Sequence, residues 1–276
     1  DKAASKKLEK ADIFVGWADF SLNSFKKAEE LGMIKILDEG SSHILYRTKI
    51  VKEEYEKFGI KPELPHPKLI EKELKEYQEA DYITIPSFFV KRTFLEKGVS
   101  ENKLIHVPYG VDLSQFKQIP KSDNVFRVIF AGGMNLRKGV HYLLQAFSEL
   151  NLPNSELMLI GSLNDEIKPF FKKYEIITRN TRISPNMPNS KFKHSVNSDK
   201  FVNSGYGATR IIYIGHIPQK ELYKYYSQGS VFVLNSIEDG FGMVIIQAMA
   251  CGLPVIATTN TGGEDIIREG RDGFII

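Results

Sequence analysis

The 276-residue sequence has one cysteine, Cys251, no apolar run of membrane-spanning length and no marked excess of either charge. Each shortage excludes something. A single thiol cannot build an internal disulfide framework or a cysteine-based metal site. Set at the end of an apolar helical segment, Cys251 is expected in the core. A bilayer-crossing helix needs about 20 consecutive apolar residues, and the sequence offers no such run. The formal net charge of +3 is too small to argue for nucleic acid, though its sign suits an anionic substrate or membrane surface. The charged opening DKAASKKLEK does not read as a secretory signal, so a cytosolic protein is expected. Apolar and charged shares of 42% and 26% are those of a soluble globular chain, and the length allows two domains.

Apolar runs that read as strands alternate with amphipathic stretches that read as helices. Asp1–Lys10 resembles the end of a charged helix. Strands are expected at Asp12–Trp17, Ile34–Asp38, Tyr82–Pro86 and Leu104–Val107, with helices at Ser21–Leu31, Leu45–Phe58, Lys68–Glu79 and, capped by Ser87, Phe88–Lys97. Such alternation implies an α/β fold with parallel sheets. The polar stretch Phe116–Asn124, with its proline, contains the expected linker, 118–124, separating an N-terminal domain, 1–117, from a C-terminal one, 125–276. The second series runs through strands Val125–Ala131, Glu156–Ile160 and Ile211–Ile214 and helices Val140–Leu150 and Gln219–Tyr226. A long polar stretch, 175–210, interrupts it and is expected to be an insertion, because loops of that length are uncommon inside compact domains.

The most informative stretch is Ser236–Thr258, SIEDGFGMVIIQAMACGLPVIAT. It follows the apolar run Val231–Asn235 and passes through Gly240-Phe241-Gly242 into the helical segment Met243–Cys251. Gly252 sits where a helix-ending glycine belongs, and Pro254–Thr258 reads as the next strand. Strand, glycine turn, helix and strand form a βαβ unit whose turn presents backbone N–H groups at a helix N-terminus, an arrangement that binds phosphate.

Several segments then match one family in order: FAGGMNLRKGVHYLLQAF, LMLIG, IIYIGHIPQKELYKYYSQGSVFVLNS, EDGFGMVIIQAMACGLPVIAT and TGGEDIIREGRDGFII, preceded by ADYITIPSFFVKRTFLEKGVSENKLIHVPYGVDLSQF. The sequence resembles the retaining glycosyltransferases of family 4, also called glycosyl transferases group 1, which have the GT-B fold. The resemblance implies two Rossmann-like domains facing across a cleft, the first incomplete and the C-terminal helices missing, so that the chain reads as a fragment truncated at both ends. It implies transfer of a sugar from a nucleotide-diphospho-sugar to an acceptor hydroxyl with retention of configuration, in surface polysaccharide or glycoconjugate synthesis. The nucleotide sugar would be a co-substrate, and no other cofactor is expected. Neither is a catalytic metal, since no DxD carboxylate cluster lies beside a strand. Implied partners are the donor and a saccharide or lipid-linked acceptor, with peripheral attachment to the cytoplasmic membrane face and no nucleic acid.

The resemblance also assigns residues. The family carries two glutamates separated by seven residues; Asp239 stands at the first position and Gln247 at the second, with Glu238 beside the first. The first acid lies near the donor sugar and the second takes hydrogen bonds from the ribose, where a glutamine gives up charge-assisted bonds. The alternative for Glu238 and Asp239 is a helix cap acting through the dipole. Lys138 matches the lysine that neutralises the diphosphate, Gly133 stands where an arginine is expected, and Arg137 is adjacent; the alternative for both cations is a solvated loop. Gly132, Gly240, Phe241, Gly242, Met243 and Val244 complete the phosphate-side segments. His216 and Ile217 match the turn against the base, and Gly262 and Gly263 open the helix before the last strand. Asp239 and Lys138 are expected to be catalytic, together with His43, which follows a strand and either faces the donor sugar or caps local backbone. Two other readings stay open: a degenerate protein that binds a nucleotide sugar without transferring it, motivated by Gln247 and Gly133, and another GT-B enzyme such as a sugar-nucleotide epimerase.

Overall fold

A computed structural model describes residues 1–178 and 210–276. Eleven strands are seen among these: β1 (Ile13–Trp17), β2 (Ile34–Asp38), β3 (Tyr82–Ile85), β4 (Leu104–His106), β5 (Phe126–Ala131), β6 (Ser155–Ile160), β7 (Ile177–Thr178), β8 (Arg210–Gly215), β9 (Val231–Leu234), β10 (Val255–Ala257) and β11 (Gly273–Ile275). The α-helices are α1 (Lys2–Ser5), α2 (Leu22–Glu30), α3 (Ile44–Lys57), α4 (Pro67–Glu79), α5 (Phe88–Glu96), α6 (Val140–Leu150), α7 (Lys168–Lys173), α8 (Leu222–Tyr226), α9 (Met243–Ala250) and α10 (Gly263–Ile266). They form two compact units. The first comprises Asp1–Tyr109, Ile237–Gly242 and Thr259–Ile266; the second comprises Gly110–Ser236, Met243–Thr258 and Ile267–Ile276.

The first unit holds a parallel sheet in the order β1-β2-β3-β4. Alternation along the strands turns Leu37, Ile83 and Ile85 inward, where they pack with Phe25 of α2, Ile44 of α3, Tyr77 of α4 and Phe89, Val90 and Phe94 of α5. The opposite face carries Val15, Trp17, Ile34, Tyr82 and Ile105, which are 57%, 65%, 46%, 40% and 39% exposed. Parallel sheets are ordinarily covered on both sides; this face is bare. Two carboxylates cap α2. Glu76 accepts from the backbone N–H of Asp19, Ser21 and Leu22 at 2.7–2.9 Å, and Asp1 accepts from those of Asn23 and Ser24. The helix expected over Asp1–Lys10 is confined to α1, with Asp1 at its N-cap position.

The second unit holds a parallel sheet in the order β11-β10-β9-β5-β6-β8-β7. Its central strands read as near-continuous apolar runs: β6 is buried throughout and β5 at every residue after Phe126. At the amino ends of the pair, buried Arg127 bonds Glu156 across the register through Nε at 2.9 Å, and its Nη1 donates to the Gln228 carbonyl at 2.7 Å. The expected insertion, 175–210, is corrected at its start, where β7 adds two residues to the sheet edge beside β8; a pair that short leaves no periodicity to read. The rest of that stretch, 179–209, lies outside the described residues. The helix expected over Gln219–Tyr226 begins as a 3-10 turn, Gln219–Glu221, before α8.

The division between units falls at Tyr109 and Gly110, ahead of the expected linker 118–124. That stretch is bonded to the second unit: Ile119 N–H donates to Ser227 Oγ at 3.0 Å, Lys121 Nζ to Ser230 Oγ at 2.8 Å, and Ser122 N–H and Oγ both donate to Gln228 Oε1 at 2.9 Å.

Candidate functional site

In the second unit the chain builds outward from β5 through β6 and β8, then returns to the other side of β5 as β9. The strand order therefore reverses between β5 and β9, and in open α/β sheets ligands bind outside the carboxyl ends of the strands at such a point. The loop after β5 carries four of the expected residues, Gly132, Gly133, Arg137 and Lys138. It is tightly held. Met134 N–H donates to the Ser162 carbonyl at 2.8 Å, Leu136 N–H to Glu166 Oε1 at 3.0 Å, and Lys138 N–H to Asn135 Oδ1 at 2.9 Å, capping the 3-10 turn Leu136–Lys138. Gly139 closes the turn at φ +68°, and a Cβ there would lie 2.0 Å from the Asn235 carbonyl oxygen, so only glycine fits. Asn235, just after β9, donates back from Nδ2 to the Gly139 carbonyl at 2.6 Å. Lys138 and Arg137, both half-buried, thus stand on a fixed turn at the reversal point. At Gly133 the nearest atom to an added Cβ would be Ser162 Oγ at 3.7 Å, ordinary contact, so a side chain has room.

Elsewhere in this unit, Gln247 on α9 is 5% exposed and its Oε1 lies 3.5 Å from the Tyr226 hydroxyl of α8, at the limit for a hydrogen bond. Burial pushes the Tyr226 phenol well above its ordinary pKa, so it is a neutral donor. Met243 is exposed and Val244 half-buried on the first turn of α9, and at the end of β8 His216 is exposed and Ile217 half-buried.

The first unit contains the loop Ile237–Gly242. Its two acids differ. Glu238 is fully buried, and its Oε1 accepts from Ser42 Oγ at 2.8 Å and Ser42 N–H at 3.3 Å; Asp239 is half-buried, and its N–H donates to the Asn260 carbonyl at 3.0 Å. Further on, Gly240 accepts from Ser87 Oγ at 2.5 Å, and a Cβ on Gly240 would lie 2.0 Å from the Gly40 carbonyl oxygen. Gly262 N–H donates to the Phe241 carbonyl at 2.8 Å, and Gly263 N–H to Thr261 Oγ1 at 3.1 Å. Among the described residues no acceptor takes the N–H groups of Gly240, Phe241 or Gly242. Those amides lead directly into α9, so the turn has the donors that the sequence implies for an anion.

His43 is the N-cap of α3. Its Nδ1 accepts from Leu45 N–H at 3.2 Å, and its ring packs against Tyr77 and Phe94 with centroids 4.9 and 5.0 Å away. Burial pushes its pKa down to about 4, so the imidazole is neutral at physiological pH. Local capping, one of its two expected roles, is what the geometry shows.

Sequence reasoning missed a buried acid chain beside His43. The Tyr77 hydroxyl lies 3.0 Å from Glu39 Oε2 and bonds Glu73 Oε1; Glu73 Oε2 and Asp19 Oδ1 are buried with no hydrogen-bond partner among the described residues, and Arg47 Nη2 stands 3.6 Å from Glu73 Oε2. Burial pushes Glu39 up to about 7 and Glu73 up to about 9, the latter helped by Asp19 and by the Glu39 charge. Desolvation works against the charge on Arg47, but the carboxylates of Glu73, Glu39 and Glu238 outweigh it and raise its pKa. The signal was present but ambiguous: Glu73, Glu76 and Tyr77 lie on one face of α4, and acids at helical spacing read as a solvated stripe.

Comparison with known proteins follows the same segments. The profile of glycosyl transferases group 1 matches residues 125–276. Among curated proteins, the chain is 29% identical over 211 residues to the capsular polysaccharide biosynthesis glycosyltransferase CapM of Staphylococcus aureus, covering 71% of this chain and 48% of that protein. The chain spans about half the length of the curated relatives it matches. Among solved structures, sucrose-phosphate synthase from Thermosynechococcus elongatus superposes with a TM-score of 0.66 at 19% identity, covering 100% of this chain and 62% of that one. Anabaena HepE in complex with UDP-glucose gives 0.65 at 14% identity, covering 100% and 67%. These likenesses identify the fold as GT-B. The matched region runs from the start of the second sheet to its last strand, taking in Lys138, Asp239 and Gln247, and it makes up more than half of the sequence: the chain belongs to the glycosyl transferases group 1 family.

Proposed function

We propose that the chain is the core of a retaining, family 4 glycosyltransferase that moves a sugar from a nucleotide-diphospho-sugar to an acceptor hydroxyl in surface polysaccharide or glycoconjugate synthesis. The observation that carries this reading is Lys138 on the fixed turn after β5, at the point where the strand order of the second sheet reverses. A cation there is suited to the charge that develops on a departing diphosphate. By the family resemblance, the unpaired N–H groups of Gly240–Gly242 are read as donors to an anion and Asp239 as a contact of the donor sugar. With lysine and helix N-terminus supplying positive charge, the transfer is read as metal-independent front-face attack by the acceptor hydroxyl. The structure of HepE with UDP-glucose supports a nucleotide-sugar donor, and the name of CapM supports a polysaccharide product.

The bare face of the first unit's sheet supports reading the chain as part of a longer enzyme. Among the described residues no helix is long and apolar enough to cross a membrane; action at the cytoplasmic face, by peripheral attachment, on a saccharide or lipid-linked acceptor fits the same reading.

Calorimetric titration with a panel of nucleotide sugars, followed by NMR of the product anomer, tests the proposal. Transfer with retention, lowered about 100-fold or more in Lys138→Ala, is the expected result; inversion, or unchanged turnover in the variant, refutes it. The Gln247 amide beside Tyr226, in place of a carboxylate, favours one rival, binding without transfer. Saturable titration with no turnover would select it.

A further inference from the structure

The loop Ile237–Gly242 has no secondary structure of its own, yet the proposed function asks it to hold Asp239 and three backbone N–H groups in place. Two serines of the first unit reach it from the carboxyl edge of the four-stranded sheet, Ser42 after β2 and Ser87 after β3. We propose that Ser42 and Ser87 are the positioning residues of this loop, setting where Asp239 and the amides of Gly240–Gly242 stand when a nucleotide sugar binds. The inference rests on the proposed function, and it assigns to neither serine a contact with substrate.

The chemistry at each serine is directional. Glu238 is fully buried, and a buried carboxylate is costly unless hydrogen-bonded. Ser42 gives it two donors on one oxygen, Oγ at 2.8 Å and N–H at 3.3 Å, and the Arg47 charge faces it as well. Its burial therefore fixes the residue before Asp239. The Ser87 hydroxyl has one proton and gives it to the Gly240 carbonyl at 2.5 Å, while its oxygen accepts from Val90 N–H at 3.1 Å to cap α5. With its lone pair aimed at the helix, the proton can point only at Gly240. Turning the carbonyl of Gly240 inward sets the peptide plane that carries Phe241 N–H. The contact of Gly240 with the Gly40 carbonyl removes the remaining freedom, because two backbones meet with no side chain between.

The test compares Ser42→Ala, Ser87→Ala and wild type in the full chain. Each variant removes one hydroxyl that donates to the loop, from Ser42 to the Glu238 carboxylate or from Ser87 to the Gly240 carbonyl. Donor KM should rise about tenfold in Ser42→Ala, the usual weight of a hydrogen bond to a charged group, and about threefold in Ser87→Ala, whose bond is neutral, with acceptor KM unchanged in both. Amide exchange over 237–242 and 259–262, read by mass spectrometry, should quicken in both variants. Wild-type donor KM with wild-type exchange in either variant overturns the proposal. So does equal impairment of donor and acceptor KM, which would mark a general loss of structure. If wild type turns over no nucleotide sugar, the proposed function fails. Exchange alone then decides the positioning role: quickening confined to those segments upholds it, and no change ends it.

Discussion

Replacing Glu73 by glutamine should leave the protein as stable as wild type near pH 5 and make it more stable at pH 8. Glu73 is 1% exposed, its Oε1 faces the Tyr77 hydroxyl, and its Oε2, like Asp19 Oδ1, is buried with no hydrogen-bond partner among the described residues. A proton on Oε2 would let it donate to Asp19, and the amide of glutamine reproduces that donor while keeping the Oε1 acceptor. Its folded pKa is raised, so the folded protein holds a proton that the unfolded chain releases near 4.5. Stability from this group is therefore full below the unfolded value and falls as pH climbs toward about 9. A single carboxyl costs the fold about 1.4 kcal/mol per pH unit across that window. Because Glu39 competes for protons through the shared tyrosine, the variant should gain roughly 2–4 kcal/mol on wild type between pH 5 and pH 8. Urea unfolding of both proteins at pH 5, 6.5 and 8 measures the gap. A gap that stays constant, or a variant less stable at pH 8, would show that Glu73 is ionised in the fold and refute the reasoning.

Other outcomes follow from the second unit. Gly139→Ala should lower the unfolding free energy by about 2 kcal/mol or more, since φ is +68° and the Asn235 carbonyl occupies the Cβ position; an unchanged thermal midpoint would contradict it. Arg127→Met leaves Glu156 without its buried partner and should cost about 3–5 kcal/mol, whereas the double change with Glu156→Leu should recover much of that, as a thermal-melt cycle will read. Gly133→Arg should fold normally, given the space around that position, and should tighten donor binding by calorimetry; weaker binding would count against a diphosphate beside this loop.

The elements that sequence located best are those whose pattern has one cause. The central strands β5 and β6 of the second sheet are apolar because both of their faces are buried, and Gly252 ends α9 with φ +82° where a helix-stopping glycine is expected. The site was legible to the extent that it lies on backbone turns, as with Lys138 and Gly240–Gly242. Side-chain commitments were not legible. Nothing in the dipeptide Glu238-Asp239 says that one acid is fully buried on Ser42 and the other half-exposed; that depends on serines far away in sequence. The acid chain was hidden for a related reason. Glu39, Glu73 and Asp19 come from three segments, and composition counts them as surface charge. The alternation Ile13-Phe14-Val15-Gly16-Trp17 located β1 but could not say that the face bearing Val15 and Trp17 is uncovered.

The bonds of residues 119–122 to Ser227, Gln228 and Ser230 bear on how the second unit can be isolated. Cutting at Val125, where the family match starts, would remove both Ser122 donors from buried Gln228 and the Ile119 donor from Ser227. It would also remove Asp123, a carboxylate partner of Arg127 at 3.0 Å. A polypeptide begun at Gly110 keeps all of them. The outermost turn of chain is, in this sense, the hem that keeps the amino ends of the sheet from fraying, and expression trials that start from the two residues should differ in soluble yield.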